Sequence, residues 1–258
     1  MEELKEMLLD RYTDFWYDIY NIEKEELKRL KKYIDYTEKE LRHFNSLSYD
    51  YDSIASLFMN KHLDYMQEAY TSLLLKNYNA FSCVMRIIIE NYVSFTLIKK
   101  YKKKEIHKDW YLWSFNKLVN IVDTEPYHTK VKKGYEKICG LLNVSSDYIN
   151  NKQSYGWLNR VVKLKNYSFK NACEIVDKEI YKDFSYLSGY IHNTDFYAKT
   201  NWIDMTTLTK FIFILYSYSE KMIKTYNHYI IRRKEYNELT IFLLESLNNC
   251  CEYKEIEV

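Results

Sequence analysis

Four side chains in two distant stretches of this sequence have the types and spacing to do chemistry together. Arg86 and Glu90 lie four residues apart in the stretch NYNAFSCVMRIIIENYVSFTLIKKYKKK, residues 77–104. Ser188 and His192 lie four residues apart about a hundred residues further along the chain. Side chains at this spacing share one face of a helix, so each pair can act as a unit.

The stretch around Arg86 and Glu90 is apolar on nearly every side of a helix, which is typical of a central, buried helix. A charged pair inside such a helix costs several kcal/mol of desolvation unless it is well partnered. Two interpretations remain open. The pair is either an internal salt bridge that fixes helix packing, or a guanidinium held by Glu90 and aimed at a phosphate or another anion.

Ser188 and His192 also have two interpretations. On a helix the hydroxyl can hydrogen-bond the imidazole. His192 is then either a histidine whose cation is stabilised near a helix C-terminus, or a general base or acid that works near neutral pH. A nucleophilic serine is the weaker interpretation, because no strained turn presents Ser188 and no acid orients the ring.

A run of lysines follows the apolar helix and includes Lys99, Lys100 and Lys103. Cations at a helix C-terminus complement the helix dipole; alternatively they form a phosphate-contacting patch at the mouth of a cleft. The six histidines are scattered, and the chain has no H-E-x-x-H motif or Cys/His cluster at ligand spacing. We therefore expect neither a metal site nor a cofactor.

The composition predicts an all-α protein. Four glycines and one proline in 258 residues leave few turns and favour long helices with short connections. The pattern predicts a helical bundle of about eight to ten helices. Glycine motifs that cradle phosphates are absent from the sequence. The net charge of +2 is low for a protein that coats nucleic acid, although a local basic site is compatible with it.

Cysteine use and hydropathy predict a cytoplasmic protein. The five cysteines contain no C-x-x-C pair, and the first residues are amphipathic and acidic, unlike a secretory peptide. The longest uninterrupted apolar run, Phe211–Tyr216, is too short to span a bilayer. We expect no membrane association.

The chain is expected to divide into an N-terminal helical arm or hairpin (1–48), one bundle domain (49–250) and a polar tail (251–258). Leu27, Leu30 and Ile34 give the arm a coiled-coil-like apolar seam between charged flanks. The arm is either a surface helix packed on the body or a segment for dimerisation or partner binding. Further expectations are a surface position for His62, a helix end at Gly140 or Asn143, and helix capping by Ser168.

The two stretches together resemble a known group of proteins. R-x-x-x-E in a buried helix, followed by Y-x-x-L-S-x-x-x-H at Tyr186–His192, resembles bacterial helical proteins related to the HEPN-like and abortive-infection superfamily. The resemblance covers roughly residues 50–230. Proteins of this superfamily are helical bundles, often dimeric, and many are metal-independent ribonucleases in toxin or antiviral defence systems. Their usual motif places Arg four to six residues before His; here no Arg directly precedes His192.

The resemblance implies a defence or toxin-type ribonuclease if Arg86 supplies the missing cation. His192 would move a proton at the ribose 2′-OH or the leaving oxygen, and Arg86, held by Glu90, would stabilise the charged phosphorane. Ser188 would orient the imidazole or contact phosphate. RNA-binding side chains would be Tyr186, Asn193, Lys99, Lys100 and Lys103.

The alternative is a non-catalytic sensor or partner-binding module that uses the Arg86/His192 pocket for an anion. The expected partners are RNA or an anionic nucleotide, a second copy of the chain in a homodimer, and a protein bound through the N-terminal arm.

Overall fold

All regular structure in the described part of the chain is helical, which confirms the predicted fold class. The computed structural model describes residues 53–145, 153–191 and 205–230, together with residues 24, 25, 27–32, 34, 35, 38, 39 and 42. The helices are α1 (Ser53–Leu74), α2 (Tyr78–Lys100), α3 (Ile106–Ile121), α4 (Tyr127–Leu142), α5 (Phe169–Val176), α6 (Ile180–Ile191) and α7 (Met205–Ile230).

The chain separates into two units, each held mainly by contacts within itself. The first comprises residues 1–89 and 184–258, and the second comprises residues 90–183. Helix α2 therefore begins in the first unit and ends in the second. The sequence shows no linker at these points, and this division was not predicted.

Phe211 of α7 lies at the centre of an aromatic cluster in the first unit. Its ring is 4.8 Å from that of Phe81 and 5.0 Å from that of Tyr190, between centroids. Tyr78 and Tyr186 lie slightly further away, each at 6.2 Å. The cluster joins α2, α6 and α7, while α1 packs along α7.

The described residues between 24 and 42 are helical and pack against α1 within the first unit. Leu30 and Ile34 are 0% and 1% exposed. The Arg42 guanidinium forms a 2.6 Å salt bridge with Asp64 of α1. These contacts agree with a helix packed on the body, which was one of the two interpretations of the N-terminal arm.

The second unit is organised around α3, which packs against α4 and against the 3-10 turn Gly156–Leu158. Trp157 in this turn is almost fully buried. The Tyr155 ring lies 5.8 Å from the rings of both Trp157 and Phe169, so aromatic contacts join the turn to α5.

Two helix ends follow the local sequence signals. Asn143 ends α4 in the left-handed conformation, with φ 53°, and its N–H donates to the carbonyl groups of Cys139 and Gly140. The Ser168 hydroxyl accepts a hydrogen bond from the N–H of Asn171 at the start of α5. Both predictions are confirmed, because they depend on short-range backbone chemistry.

Helix α2 corrects the expectation of a helix buried on every side. It lies within the apolar stretch 77–104, but Cys83, Ile87 and Glu90 form an exposed face. In the described ranges it is also the one helix long and apolar enough to cross a membrane, with half of its most apolar window buried. The core helix of a soluble protein meets the same criterion, so this is weak evidence for a membrane span.

His62 is a second correction, because its side chain is fully buried in α1 rather than on the surface. Neither ring nitrogen has a hydrogen-bond partner among the described residues. Burial lowers the pKa of His62 from 6.5 to about 3. The sequence suggested a surface position because the polar residues Lys61 and Asp64 lie close to His62 along the chain. The structure nevertheless buries His62.

This buried imidazole predicts a loss of stability in mild acid. The unfolded chain protonates His62 near its ordinary pKa and the folded chain does not, so stability is complete above pH 6.5 and falls as the pH drops toward 3. Between pH 7 and pH 5 this group alone should cost about 2 kcal/mol. Urea unfolding should show that His62→Leu removes this part of the loss.

His128→Gln is the matched control, because His128 is partly exposed beside Glu125. That variant should retain the wild-type loss of stability in acid. Equal pH dependence in wild type and His62→Leu would contradict the assignment.

Candidate functional site

Helices α2 and α6 meet where the side chain of Arg86 covers the ring of Phe184. The guanidinium carbon lies 4.3 Å from the ring centroid. Such a contact contributes about 0.5–2 kcal/mol, depending on how far water is excluded. The contact connects the two sequence stretches on which the functional hypothesis was built.

Arg86 has no ion pair or hydrogen bond within the part of the chain that the structure describes. Its Nε atom is buried and has no hydrogen-bond partner. The side chain is only partly exposed. A guanidinium carries five N–H donors, and one that is stacked on an apolar ring leaves its edge available to an anion.

Glu90 does not have the role that the sequence suggested. Its side chain is exposed, and it lies near Tyr155 and Cys173 of the second unit. Burial raises the pKa of the Cys173 thiol to about 12, and the Glu90 charge adds to that shift. Burial likewise raises the pKa of Tyr155, again with Glu90 contributing. Among the described residues no ion pair joins Arg86 to Glu90, although both interpretations of the pair had Glu90 hold the guanidinium.

Ser188 lies one helical turn from Phe184 on the same face of α6. Its hydroxyl donates a 2.7 Å hydrogen bond to the Phe184 carbonyl. That bond occupies the hydroxyl proton, and the oxygen can still accept. His192 and Asn193 lie outside the described residues, so a hydrogen bond between Ser188 and His192 stays a prediction.

Tyr186 lies between cationic and aromatic groups. The Lys210 ammonium is 3.4 Å from its ring centroid, and its hydroxyl is 3.4 Å from that of Tyr190. Its ring also meets Phe211 edge-on. Tyr186 therefore contributes to the packing of α6 on α7, and its role in ligand binding stays a prediction.

The three lysines of the predicted patch differ in burial and in hydrogen bonding within the second unit. Lys99 is partly buried, which lowers its pKa. Lys100 donates a 3.1 Å hydrogen bond to the carbonyl of Ile175. Lys103 is exposed in the 3-10 turn Lys102–Lys104. Lys100 and Lys103 are both exposed, and of these two Lys103 is the one without a hydrogen bond to the backbone of another helix.

Sequence analysis missed an ion pair between the buried Asp109 and the partly exposed Arg160. The Arg160 Nη2 atom lies 2.7 Å from a carboxylate whose side chain is 1% exposed. Burial raises the pKa of Asp109, and the Arg160 guanidinium opposes that rise. One signal was present, because Asp109 lies three residues from both Ile106 and Leu112, on the apolar stripe of α3.

Among the described residues, no group of three or more His, Cys, Asp or Glu side chains could hold a metal ion. Comparisons with protein-family models, curated proteins and solved structures gave no match for this chain. The side chains themselves and the resemblance in their pattern are therefore what points to a function.

Removing Arg160 should destabilise the protein in a pH-dependent way. Arg160→Met leaves the buried Asp109 carboxylate without its guanidinium partner, which should cost about 2 kcal/mol or more at pH 7. The raised pKa of Asp109 means that the folded state takes up a proton before the unfolded chain does. The loss should therefore shrink as the pH falls, as measured by urea unfolding.

The double variant Asp109→Asn/Arg160→Met should recover most of that loss, because the neutral amide needs no cation. Lys108→Met, which removes an exposed ion pair with Glu105, is the control and should change stability by less than about 0.5 kcal/mol. A pH-independent loss in Arg160→Met would show that the carboxylate is not its cause.

Proposed function

We propose that this chain is a HEPN-like, defence- or toxin-type protein that binds RNA phosphate with the guanidinium of Arg86. The observation that carries the proposal is the state of Arg86: it is stacked on Phe184 at 4.3 Å, partly buried, and without a carboxylate partner among the described residues. A cation kept in this state costs desolvation energy that an anionic ligand would offset.

The chemistry of the guanidinium favours phosphate. Its donors match two phosphate oxygens at once, and its charge is spread over a plane. Phe184 restricts the side chain on one face, which reduces the rotamer entropy lost when the anion binds. The same stacking makes lysine a poor replacement, since an ammonium supplies neither the plane nor the paired donors.

RNA cleavage is the further step that the resemblance implies. His192 would be the general base or acid, a contribution of about 10²–10⁴-fold, and Arg86 would stabilise the phosphorane. The protein would act in the cytoplasm without a metal ion, as a homodimer that brings two sites together. The alternative is a non-catalytic module in which Arg86 only holds the anion.

Arg86→Met separates binding from folding. Methionine keeps the length of the side chain and a favourable contact with Phe184, and it removes the unsatisfied buried Nε. We expect unchanged or slightly higher thermal stability, with binding of a short single-stranded RNA weakened by about 10- to 100-fold, the loss of one charge-assisted contact. Fluorescence anisotropy and thermal unfolding would measure the two effects.

Two further variants serve as controls for the RNA-binding measurement. Lys61→Met removes an exposed cation of α1 in the same unit and should leave RNA affinity within about twofold. Arg86→Lys should bind nearly as weakly as Arg86→Met. Full affinity in Arg86→Met would refute the proposed phosphate contact.

Catalysis is tested separately, with labelled RNA in EDTA. Wild type should cleave, and His192→Ala and Arg86→Met should each cleave at least about 100-fold more slowly. RNA binding without cleavage by wild type would select the non-catalytic alternative. Equal cleavage by all three proteins would reject the site.

A further inference from the structure

A second positively charged site lies in the first unit, away from Arg86. It is a cleft of about 410 Å³ between the helical residues 24, 25 and 27–32 and the C-terminal end of α1. We call it the lysine cleft. Its lining consists of five lysines and three apolar side chains, with no carboxylate: Lys24, Lys28, Lys31, Lys32, Lys76, Leu27, Tyr70 and Leu74.

The spacing of the lysines is unfavourable for the helix that carries them. Lys24, Lys28 and Lys32 follow one another at intervals of four residues, so like charges are neighbours on one face. Lys28 is partly balanced by Glu25 at 3.6 Å, and Lys31 forms an ion pair with Asp35. Lys24 and Lys32 have no such partner within the described residues. An anionic ligand would relieve this repulsion.

The base of the cleft is apolar. Leu27 and Tyr70 are largely buried, whereas 55% of the Leu74 surface is exposed. The Lys31 ammonium lies 5.8 Å from the centroid of the Tyr70 ring, so the charged and aromatic parts of the cleft adjoin. An exposed leucine beside an aromatic side chain can cover the face of a flat, apolar group.

Lys76 is held at the edge of the cleft by a strained backbone. Its φ of 55° lies in the left-handed region that normally favours glycine. Its N–H donates to the carbonyl of Leu73, and the N–H of Asn77 donates to that of Ser72, the paired bonds of a Schellman ending. Glycine would serve the turn better, so the turn alone does not account for a lysine here.

We infer that the lysine cleft binds a nucleoside triphosphate, with the phosphates among the lysines and the base against Leu74 and Tyr70. Five cations match a ligand that carries several negative charges on one end. The volume falls within the usual range of small-molecule sites. An RNA strand would instead favour a groove that follows its backbone with several aromatic platforms, and the cleft offers only Tyr70.

This inference does not rest on the proposed function of Arg86, because no residue of α2 or α6 lines the cleft. The binding measurement is therefore made in wild type and in Arg86→Met. Nucleotide bound at Arg86 would be lost in that variant, whereas nucleotide bound in the cleft would remain. The two proposals can thus fail separately.

The first experiment measures ATP and inorganic triphosphate by calorimetry at physiological salt. In the Arg86→Met variant, the affinity for ATP should be at least fivefold higher than the affinity for inorganic triphosphate. The reason is that only ATP has a base to cover the apolar surface. Lys24→Gln/Lys32→Gln should weaken ATP binding at least tenfold. Lys39→Gln/Lys61→Gln removes two exposed lysines outside the cleft and should leave the affinity within twofold.

The second experiment uses the strained turn. Lys76→Gly should raise the melting temperature by about 2–4 °C, because glycine accepts the left-handed conformation. The same change should weaken ATP binding severalfold by removing a cation from the cleft. A merely structural Lys76 would leave ATP affinity unchanged.

Three results would overturn the inference. The first is an affinity for ATP that is no higher than the affinity for inorganic triphosphate. The second is the same ATP affinity in Lys24→Gln/Lys32→Gln as in the control variant Lys39→Gln/Lys61→Gln. The third is binding to vesicles of anionic phospholipid with no binding of ATP, which would make the cleft a membrane-contacting surface.

Discussion

The first unit depends on the packing of α2 against α7 and against the part of α6 that begins at Phe184, and the chain reaches both only after residues 90–183. Phe211 provides the apolar part of this packing, with aromatic neighbours from all three helices. The stacking of Arg86 on Phe184 provides the charged part. Both are contacts of high sequence separation, so neither helix alone can form the candidate site.

Helix positions could be predicted from the sequence because they follow from local chemistry. The bounds of α2, the capping by Ser168 and the left-handed ending at Asn143 each need only a few neighbouring residues. The meeting of the Arg86 and Ser188 helices was a hypothesis drawn from residue types. The structure brings those helices together through Phe184, which sequence analysis had not assigned to the site.

Burial was harder to predict, because it depends on which helix covers which face. Glu90 and His62 show this in opposite directions: a carboxylate in an apolar helix is exposed, and a histidine among polar neighbours is buried. Asp109 was missed although it interrupts an apolar stripe, since its partner Arg160 comes from an irregular segment whose path no periodicity encodes. Sequence analysis did not predict the division into two units, because no change in composition marks it.

The order of the two units along the chain has a consequence during protein synthesis. Arg86 leaves the ribosome early, whereas Phe184 follows only after residues 90–183 have been made. Until then the guanidinium has no ring to restrict it, and a chain that stops within the second unit cannot assemble the candidate phosphate contact. Any activity that depends on this contact would therefore be absent from chains that end before Phe184.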